Sequence, residues 1–227
     1  GGEAVNVLEV GAKSYRASTL VDVYDLARLV AQLEHIHAFS RLVVATEQSD
    51  LLAAIHPAHG DVALPVIAPG NTEECFYAAI TAIEWAERYQ GPVIVLSEHS
   101  LAERSQNIPT PNLDSIKKAQ RKTYSGSNGY QRSDGFELSP MPIPGNPGAY
   151  IANGSEHDAM GDTTHLPARH IQMTERRFSK LQLLEDGNYE SEHNQEPIAI
   201  MPWGGSKGPV WDAYQELLNS GVNLGWY

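Results

Sequence analysis

The stretch Leu64–Ser97, LPVIAPGNTEECFYAAITAIEWAERYQGPVIVLS, decides the fold. Leu64 to Ala68 is a short apolar run that reads as a buried strand, and Pro69-Gly70 turns the chain. Asn71 or Thr72 is suited to cap a helix, with Glu73 and Glu74 in the first turn near the positive end of its dipole. Tyr77, Ile80, Ile83, Trp85 and Ala86 carry the helical spacing on to Tyr89. Gln90-Gly91-Pro92 stops it, and Pro92 to Ser97 reads as a second strand. Strand, helix and strand within about 35 residues form a βαβ crossover, which implies parallel strands and an α/β fold.

Working outward, Leu42–Ala45 reads as another buried strand and Asp50–Ile55 as one or two helical turns. Thr19 to Phe39 has apolar residues at three- and four-residue steps (Leu20, Val23, Leu26, Val30, Leu33), the mark of an amphipathic helix. Residues 102–165 change character. Pro109, Pro111, Pro140, Pro142, Pro144 and Pro147 crowd a stretch too long for an idle loop, so either a linker or an ordered excursion over a partner is expected. Ala168–Leu184 reads as a helix with Ile171, Phe178 and Leu181 inside and Arg176, Arg177 and Lys180 outside. A second βαβ-like unit follows, with strand Ile198–Pro202, a glycine turn at Trp203–Gly208, helix Pro209–Ser220 and strand Val222–Trp226. Pro209 at the first helical position and Gly221 just past the last fit the usual asymmetry.

The 227 residues are 41% hydrophobic and 19% charged, an ordinary globular balance, and the net charge is -12. A surface that acidic repels phosphate backbones, which argues against nucleic acid. No apolar run approaches the ~18 residues of a membrane helix. Cys75 is the single cysteine. One thiol forms no internal disulfide and does not hold an iron–sulfur cluster, which usually takes four thiolates. Without a signal peptide in view, the expected compartment is the cytoplasm. The first residue is not methionine, so the chain is expected to be a piece of something longer.

Three groups of residues invite a chemical reading. Gly204-Gly205-Ser206-Lys207-Gly208 lies between a strand and a helix, where main-chain N–H groups cradle phosphates. Gly204, Ser206 and Lys207 are the candidates, although the Walker spacing is absent and a tight turn explains the glycines as well. Glu156-His157-Asp158 sets two carboxylates beside an imidazole in a loop. That pattern suits proton transfer or a cationic partner, and equally a turn closed by aspartate hydrogen bonds. His35, His37, His56, His59, His165 and His170 show no metal-ligand spacing, so no metal site is expected on this chain. No Gly-x-Ser-x-Gly elbow supports a serine hydrolase.

Read as strings, four segments together resemble the alpha subunit of the 2-oxoacid:ferredoxin (acceptor) oxidoreductases, 2-oxoglutarate synthase type. They are Thr46-Glu47-Gln48-Ser49-Asp50-Leu51-Leu52, Ala68-Pro69-Gly70-Asn71-Thr72-Glu73-Glu74-Cys75-Phe76 and Gln90-Gly91-Pro92-Val93-Ile94-Val95-Leu96-Ser97. The fourth is Tyr150-Ile151-Ala152-Asn153-Gly154-Ser155-Glu156-His157-Asp158, continuing to Gly161 and Arg176-Arg177-Phe178-Ser179-Lys180. The closing Trp203-Gly204, Lys207-Gly208 and Leu224-Gly225-Trp226 are similar to the start of that subunit's next domain. The order and spacing agree from about Thr46 to Tyr227.

The resemblance implies a partial pyrimidine-binding domain of the thiamine-diphosphate fold over residues 1–184, a linker at 185–196, and the start of a transketolase-C-terminal-like domain at 197–227. It implies oxidative decarboxylation of a 2-oxoacid, most simply 2-oxoglutarate, onto coenzyme A, with electrons passing to ferredoxin. Thiamine diphosphate and magnesium would sit at the interface with a beta subunit, and the iron–sulfur cluster on that partner. Glu47, Gln48, Glu156 and His157 become pocket-edge candidates. The departures are as informative. The family's Tyr-Pro-Ile-Thr-Pro-like loop and its cofactor-activating glutamate are missing. Arg41-Leu42-Val43-Val44-Ala45 stands where an Arg-Gly-Gly-Pro-Ser-Thr-Gly stretch belongs, so Arg41 inherits no substrate role. Residues 1–45 are expected to fall outside the resemblance. The chain alone is expected to be inactive, and two other readings stay open: a non-catalytic assembly module derived from the subunit, and a phosphate-binding α/β domain using Gly204–Gly208.

Overall fold

A computed structural model describes residues 6–10, 13–17, 41–44, 48–56, 63–103, 105–116, 119–127, 129–134, 138–185 and 190–227. The helix expected at Thr19–Phe39, and with it His35 and His37, lies outside the described residues, as do His59 and Glu47.

Strands β1 (Asn6–Val10) and β2 (Lys13–Ala17) pair antiparallel. Strand β3 (Arg41–Val44) leads to helix α1 (Gln48–Ile55). Strand β4 (Val66–Ile67), helix α2 (Thr72–Tyr89) and strand β5 (Ile94–Ser97) then make the crossover unit. The three strands order as β3-β5-β4, with Arg41 and Val66 both in register with Ile94 and every pairing parallel. β5 is central, and its continuous apolar run serves two faces. Val93 and Val95 pack against Ala78, Ala82, Ala86 and Tyr89 of α2. Ile94 and Leu96 turn the other way, onto Ala54, Leu51 and Trp203. This is the period-two division expected of a parallel strand covered on both sides. Alanines at every fourth position of α2 bring its backbone close to the sheet.

The ends of α2 follow from side-chain hydrogen bonds. Asn71 Oδ1 accepts from the Glu74 N–H at 2.9 Å, and the Glu74 carboxylate reaches back to the Gly70 N–H at 2.7 Å. Two donors left over at the helix start are thereby satisfied. Asn71→Ala is expected to lower stability by about 1 kcal/mol, read as a shift in the urea midpoint at unchanged slope. At the other end Gln90, not the following glycine, takes the left-handed conformation at φ 56°. Its side chain is held there: Nε2 donates to the Ser139 carbonyl at 2.8 Å and Oε1 accepts from Arg132 at 2.8 Å.

The described residues of the excursion after β5 hold little regular structure. A single-turn helix α3 (His99–Ala102) is followed by two-residue strands β6 (Thr123–Tyr124) and β7 (Met141–Pro142), paired parallel. Tyr124, Tyr130 and Tyr150 stack edge on tilt with centroids 4.7 and 5.8 Å apart. Helix α4 (Pro167–Ser179) continues as a 3-10 turn over Lys180–Leu184. Its faces reverse the sequence expectation. Ile171 and Phe178 are 57% and 43% exposed, whereas Arg176 is 7% exposed; only Leu181 packs on the α2 cluster as expected. The reason is the surface that α4 meets. There Arg132, Ser133 and Asp134 offer main-chain carbonyls, and arginine is the residue that satisfies them. Arg176 donates to the carbonyls of Asp134 and Arg132 and to Ser139 Oγ, and Arg169 donates to the carbonyls of Ser133 and His157.

The last unit is strand β8 (Ala199–Ile200), a 3-10 turn at Gly204–Ser206, helix α5 (Lys207–Asn219) and strand β9 (Gly225–Trp226), with β8 and β9 parallel. α5 begins at Lys207, so Pro209 stands at its third position rather than its first, where its missing N–H is still harmless. Gly221 follows the helix at φ 83°, as a C-terminal glycine does. Tyr214, Leu224 and Trp226 form a separate buried cluster, covered by Ile200, Val210, Trp211 and Leu218.

Candidate functional site

Two loops carry the residues singled out by sequence, and each can be built bond by bond. The first is 150–164. Asp158 Oδ1 accepts from the N–H groups of Met160 (2.9 Å) and Asp162 (3.1 Å), closing a tight turn. Asn153 donates to Thr163 Oγ1 at 2.8 Å and accepts from the Ser155 N–H at 2.9 Å, tying the two arms together. Gly161 has φ 95°, and a Cβ there would lie 2.3 Å from the Ile151 carbonyl oxygen.

Within this frame Glu156 and His157, adjacent in sequence, are drawn to opposite partners. Glu156 Oε2 meets His170 Nδ1 at 2.6 Å, and its carboxylate takes Arg177 at 3.4 and 3.5 Å. Burial alone would raise the Glu156 pKa; the hydrogen bonds from His170 and Arg177 outweigh it and hold the carboxyl below its ordinary value. His157 Nδ1 lies 2.8 Å from the Ser155 carbonyl and Nε2 3.0 Å from Ser133 Oγ. A carbonyl only accepts, so Nδ1 bears the proton and Nε2 accepts from the hydroxyl. The loop therefore does not pair Glu156 with His157; the imidazole that Glu156 engages is that of His170 on α4. Of the other pocket-edge candidates, Gln48 opens α1.

The second loop is the glycine turn. Ser206 Oγ donates to the Trp203 carbonyl at 2.6 Å and stands 3.3 Å from the Trp203 N–H. Gly204, buried at φ 56°, packs its carbonyl beside Gly70: a Cβ on Gly70 would lie 3.1 Å from Gly204 O and 2.9 Å from Lys207 Cδ. Lys207 Nζ binds Glu74 Oε1 at 2.8 Å and Glu190 Oε2 at 2.9 Å. The Glu98 carboxylate lies against Gly205. Three carboxylates thus converge on the turn, and its cation already has two of them. That is an unfavourable setting for a phosphate.

The Glu74–Lys207 pair joins residues 133 positions apart. Burial would raise the Glu74 pKa, but hydrogen bonds from Lys207 and the Gly70 N–H lower it overall. Burial would lower that of Lys207, and the bonds to Glu74 and Glu190 raise it instead. The contribution of the pair is complete between the two unfolded-state values. It fades as pH falls through the lowered Glu74 pKa, and again as pH rises through the raised Lys207 pKa. Both side chains are about one-third exposed, so Lys207→Met is expected to cost no more than about 1 kcal/mol at neutral pH. Acid and urea titrations of the variant read that loss.

Among the described residues no group of three or more His, Cys, Asp or Glu side chains is placed to hold a metal ion. Cys75 is half-buried, and burial together with Glu74 raises its pKa, which leaves the thiol unreactive. No helix among the described residues is long and apolar enough to cross a membrane.

Comparison with known proteins places this framework. Residues 38–176 match the sequence family described as pyruvate flavodoxin/ferredoxin oxidoreductase, thiamine diphosphate-binding. The chain is 30% identical over 186 residues to the alpha subunit of 2-oxoacid:ferredoxin oxidoreductase 1 of Aeropyrum pernix, covering 78% of this chain and 29% of that one. It is 29% identical over 212 residues to the 2-oxoglutarate oxidoreductase subunit KorA of Mycobacterium tuberculosis, covering 88% of this chain and 32% of that one. The chain therefore spans about three-tenths of the length of these relatives. A solved structure of the 2-oxoglutarate:ferredoxin oxidoreductase from Magnetococcus marinus, with 2-oxoglutarate, coenzyme A and succinyl-CoA bound, superposes with a TM-score of 0.77 at 34% identity, over 89% of this chain and 39% of that chain.

These matches reach further upstream than the strings read from sequence. The family match begins at residue 38, and the mycobacterial alignment takes in more of the chain than the four-fifths that follows Thr46. The parallel α/β framework and a family match over more than half of the residues agree. The chain belongs to the thiamine-diphosphate-binding family of the pyruvate flavodoxin/ferredoxin oxidoreductases.

Proposed function

We propose that this chain is part of the alpha subunit of a thiamine-diphosphate-dependent 2-oxoacid:ferredoxin oxidoreductase, with 2-oxoglutarate as its oxoacid. The observation that carries the reading is the joint match in sequence and in shape: family residues 38–176, and a 2-oxoglutarate enzyme superposing over nine-tenths of the chain. In this reading residues 1–184 are a partial pyrimidine-binding domain, 185–196 a linker and 197–227 the start of the next domain. The independent cluster around Trp226 supports that division.

The cofactor's fit was judged on the acids in place. Asp50 is the buried carboxylate among the described residues, and it is already engaged. Glu74 is tied to Gly70 and Lys207. Neither presents a carboxylate to an aminopyrimidine, so the described residues do not hold thiamine diphosphate by themselves. Thiamine diphosphate and magnesium accordingly belong at an interface with a beta subunit. That partner carries the iron–sulfur cluster and receives ferredoxin, since a chain of net charge -12 repels an acidic carrier. The cytoplasm is the compartment this chemistry implies.

Purified alone, the chain is expected to show no reduction of a viologen dye by 2-oxoglutarate and coenzyme A. Co-expressed with a thiamine-binding beta subunit, it is expected to support turnover. Activity of the isolated chain would overturn the reading. A stable complex without turnover would favour an assembly module. That second reading draws on one observation: Glu156 and His157 are both engaged within the chain, Glu156 with His170 and Arg177 of α4 and His157 with Ser155 and Ser133.

A further inference from the structure

Between α4, the end of α2 and residues 132–133, 138 and 150–153 lies a cavity of about 220 Å³. Arg132, Arg176, Arg177 and Lys180 border it, with Leu138, Ile151 and Met173 as an apolar wall and His157 at the rim. Four cations around one hollow invert the average of a chain whose net charge is -12. Their engagements differ. Arg177 faces the Glu156 carboxylate, and Arg176 grips main-chain carbonyls. Arg132 donates through Nη1 to Gln90 Oε1 (2.8 Å) and the Ser139 carbonyl (3.0 Å), and its guanidinium lies 6.0 Å over the Tyr150 ring. Lys180 Nζ donates to one neutral acceptor, the Gln90 carbonyl at 3.2 Å, and sits 5.6 Å from the Tyr89 ring. Among the described residues no carboxylate pairs with it.

Holding a half-buried ammonium beside three guanidiniums is costly, and a methionine would pack there without that cost. Burial and the charges of Arg132, Arg176 and Arg177 pull the Lys180 pKa down to about 8. A charge kept at such a position against its electrostatic interest marks a place where a counter-charge arrives. The guanidinium fork of Arg132 and the point charge of Lys180 are the two donor types that take carboxylate or phosphate oxygens.

We infer that this cavity is an oxyanion-binding site, in which Lys180 and Arg132 take a small carboxylate or phosphate group against the wall of Leu138, Ile151 and Met173. The inference stands independently of the redox reading above. Calorimetric titration of the 227-residue chain with acetate and, separately, with inorganic phosphate at fixed ionic strength tests it. Saturable binding of one of them is expected, and the tighter of the two identifies the source. Lys180→Met should weaken that binding about tenfold or more, and Lys180→Arg should retain most of it. Lys207→Ala, which removes a cation outside the cavity, should titrate like wild type. Arg132→Gln gives the same reading should Lys180→Met fail to fold. In the wild type alone, acetate affinity should fall about tenfold between about pH 7 and about pH 9 as Lys180 loses its proton. The charged and titratable groups that line the cavity with Lys180 are Arg132, Arg176, Arg177, Tyr150 and His157, and the Tyr89 ring lies against its Nζ. No saturable binding of either anion would overturn the inference. So would undiminished binding in Lys180→Met, or an acetate affinity flat across that pH range.

Discussion

Trp226→Ala is expected to lower stability by about 3–5 kcal/mol, the usual cost of removing a buried tryptophan. Trp226 is 2% exposed and stands at the centre of the last cluster, with ring centroids 4.9 Å from Trp211 and 5.4 Å from Tyr214. The substitution leaves the main chain able to keep its bonds: Glu192 and Trp226 exchange N–H and carbonyl at 3.1 and 2.9 Å, and the Gly225 N–H donates to Ile198 O at 2.8 Å. The loss is therefore one of packing. It should be local to the β8–α5–β9 unit, because Trp226 belongs to a cluster separate from those flanking β5. Urea unfolding followed by amide exchange reads both predictions. Faster exchange confined to residues 190–227 is expected, and uniform acceleration through β5 would show that the two parts unfold as one.

Gly161→Ala is expected to cost about 3 kcal/mol. Two penalties add. Alanine at φ 95° is strained wherever it stands, and here its Cβ would lie 2.3 Å from the Ile151 carbonyl oxygen, a main-chain atom that a side-chain rotation cannot move away. Gly145 supplies the control, since it has φ 92° and nothing within 4 Å of its missing Cβ. Gly145→Ala should lose about 1 kcal/mol, from the strain alone. Thermal denaturation of the two variants separates the contributions. Equal losses would mean that Ile151 shifts freely, and the loop would then be softer than its hydrogen bonds suggest. With the loop displaced, Glu156 should also lose its place against His170 and Arg177, which limited proteolysis within 150–164 would detect.

The parts of the fold that could be read from sequence are those fixed by neighbours in the chain. β5 announces itself as an uninterrupted apolar run, Asn71 and Glu74 cap α2 within four residues of one another, and Gly221 closes α5. What could not be read is fixed across distance. The apolar spacing of α4 points Ile171 and Phe178 inward. The carbonyls that reverse this lie some 40 positions away and leave no periodic trace. Lys207 reads as a free phosphate ligand until Glu74, 133 positions upstream, is brought to it. Glu156 and His157 look like a pair because they are adjacent, yet the bridge between His157 and Thr163 sends their side chains apart. Lys180 and Arg132 lie 48 positions apart and do not read as a site; Arg176-Arg177 with Lys180 at helical spacing is the trace that the sequence carries.

The grip of Arg169 and Arg176 on the 132–139 stretch has a consequence for how this protein tolerates change. The two guanidiniums hold the main-chain carbonyls of Arg132, Ser133 and Asp134, oxygen atoms that every residue type possesses, so Asp134, exposed and held through its carbonyl, is free to vary, whereas Arg132, Ser133 and Ser139 use their side chains as well. The holders enjoy no such freedom: lysine offers a point charge in place of a planar fork and cannot span two carbonyls at once. Saturation mutagenesis should therefore find position 134 permissive opposite two intolerant arginines of the helix, an inversion of the usual rule that constrained residues lie beneath apolar neighbours.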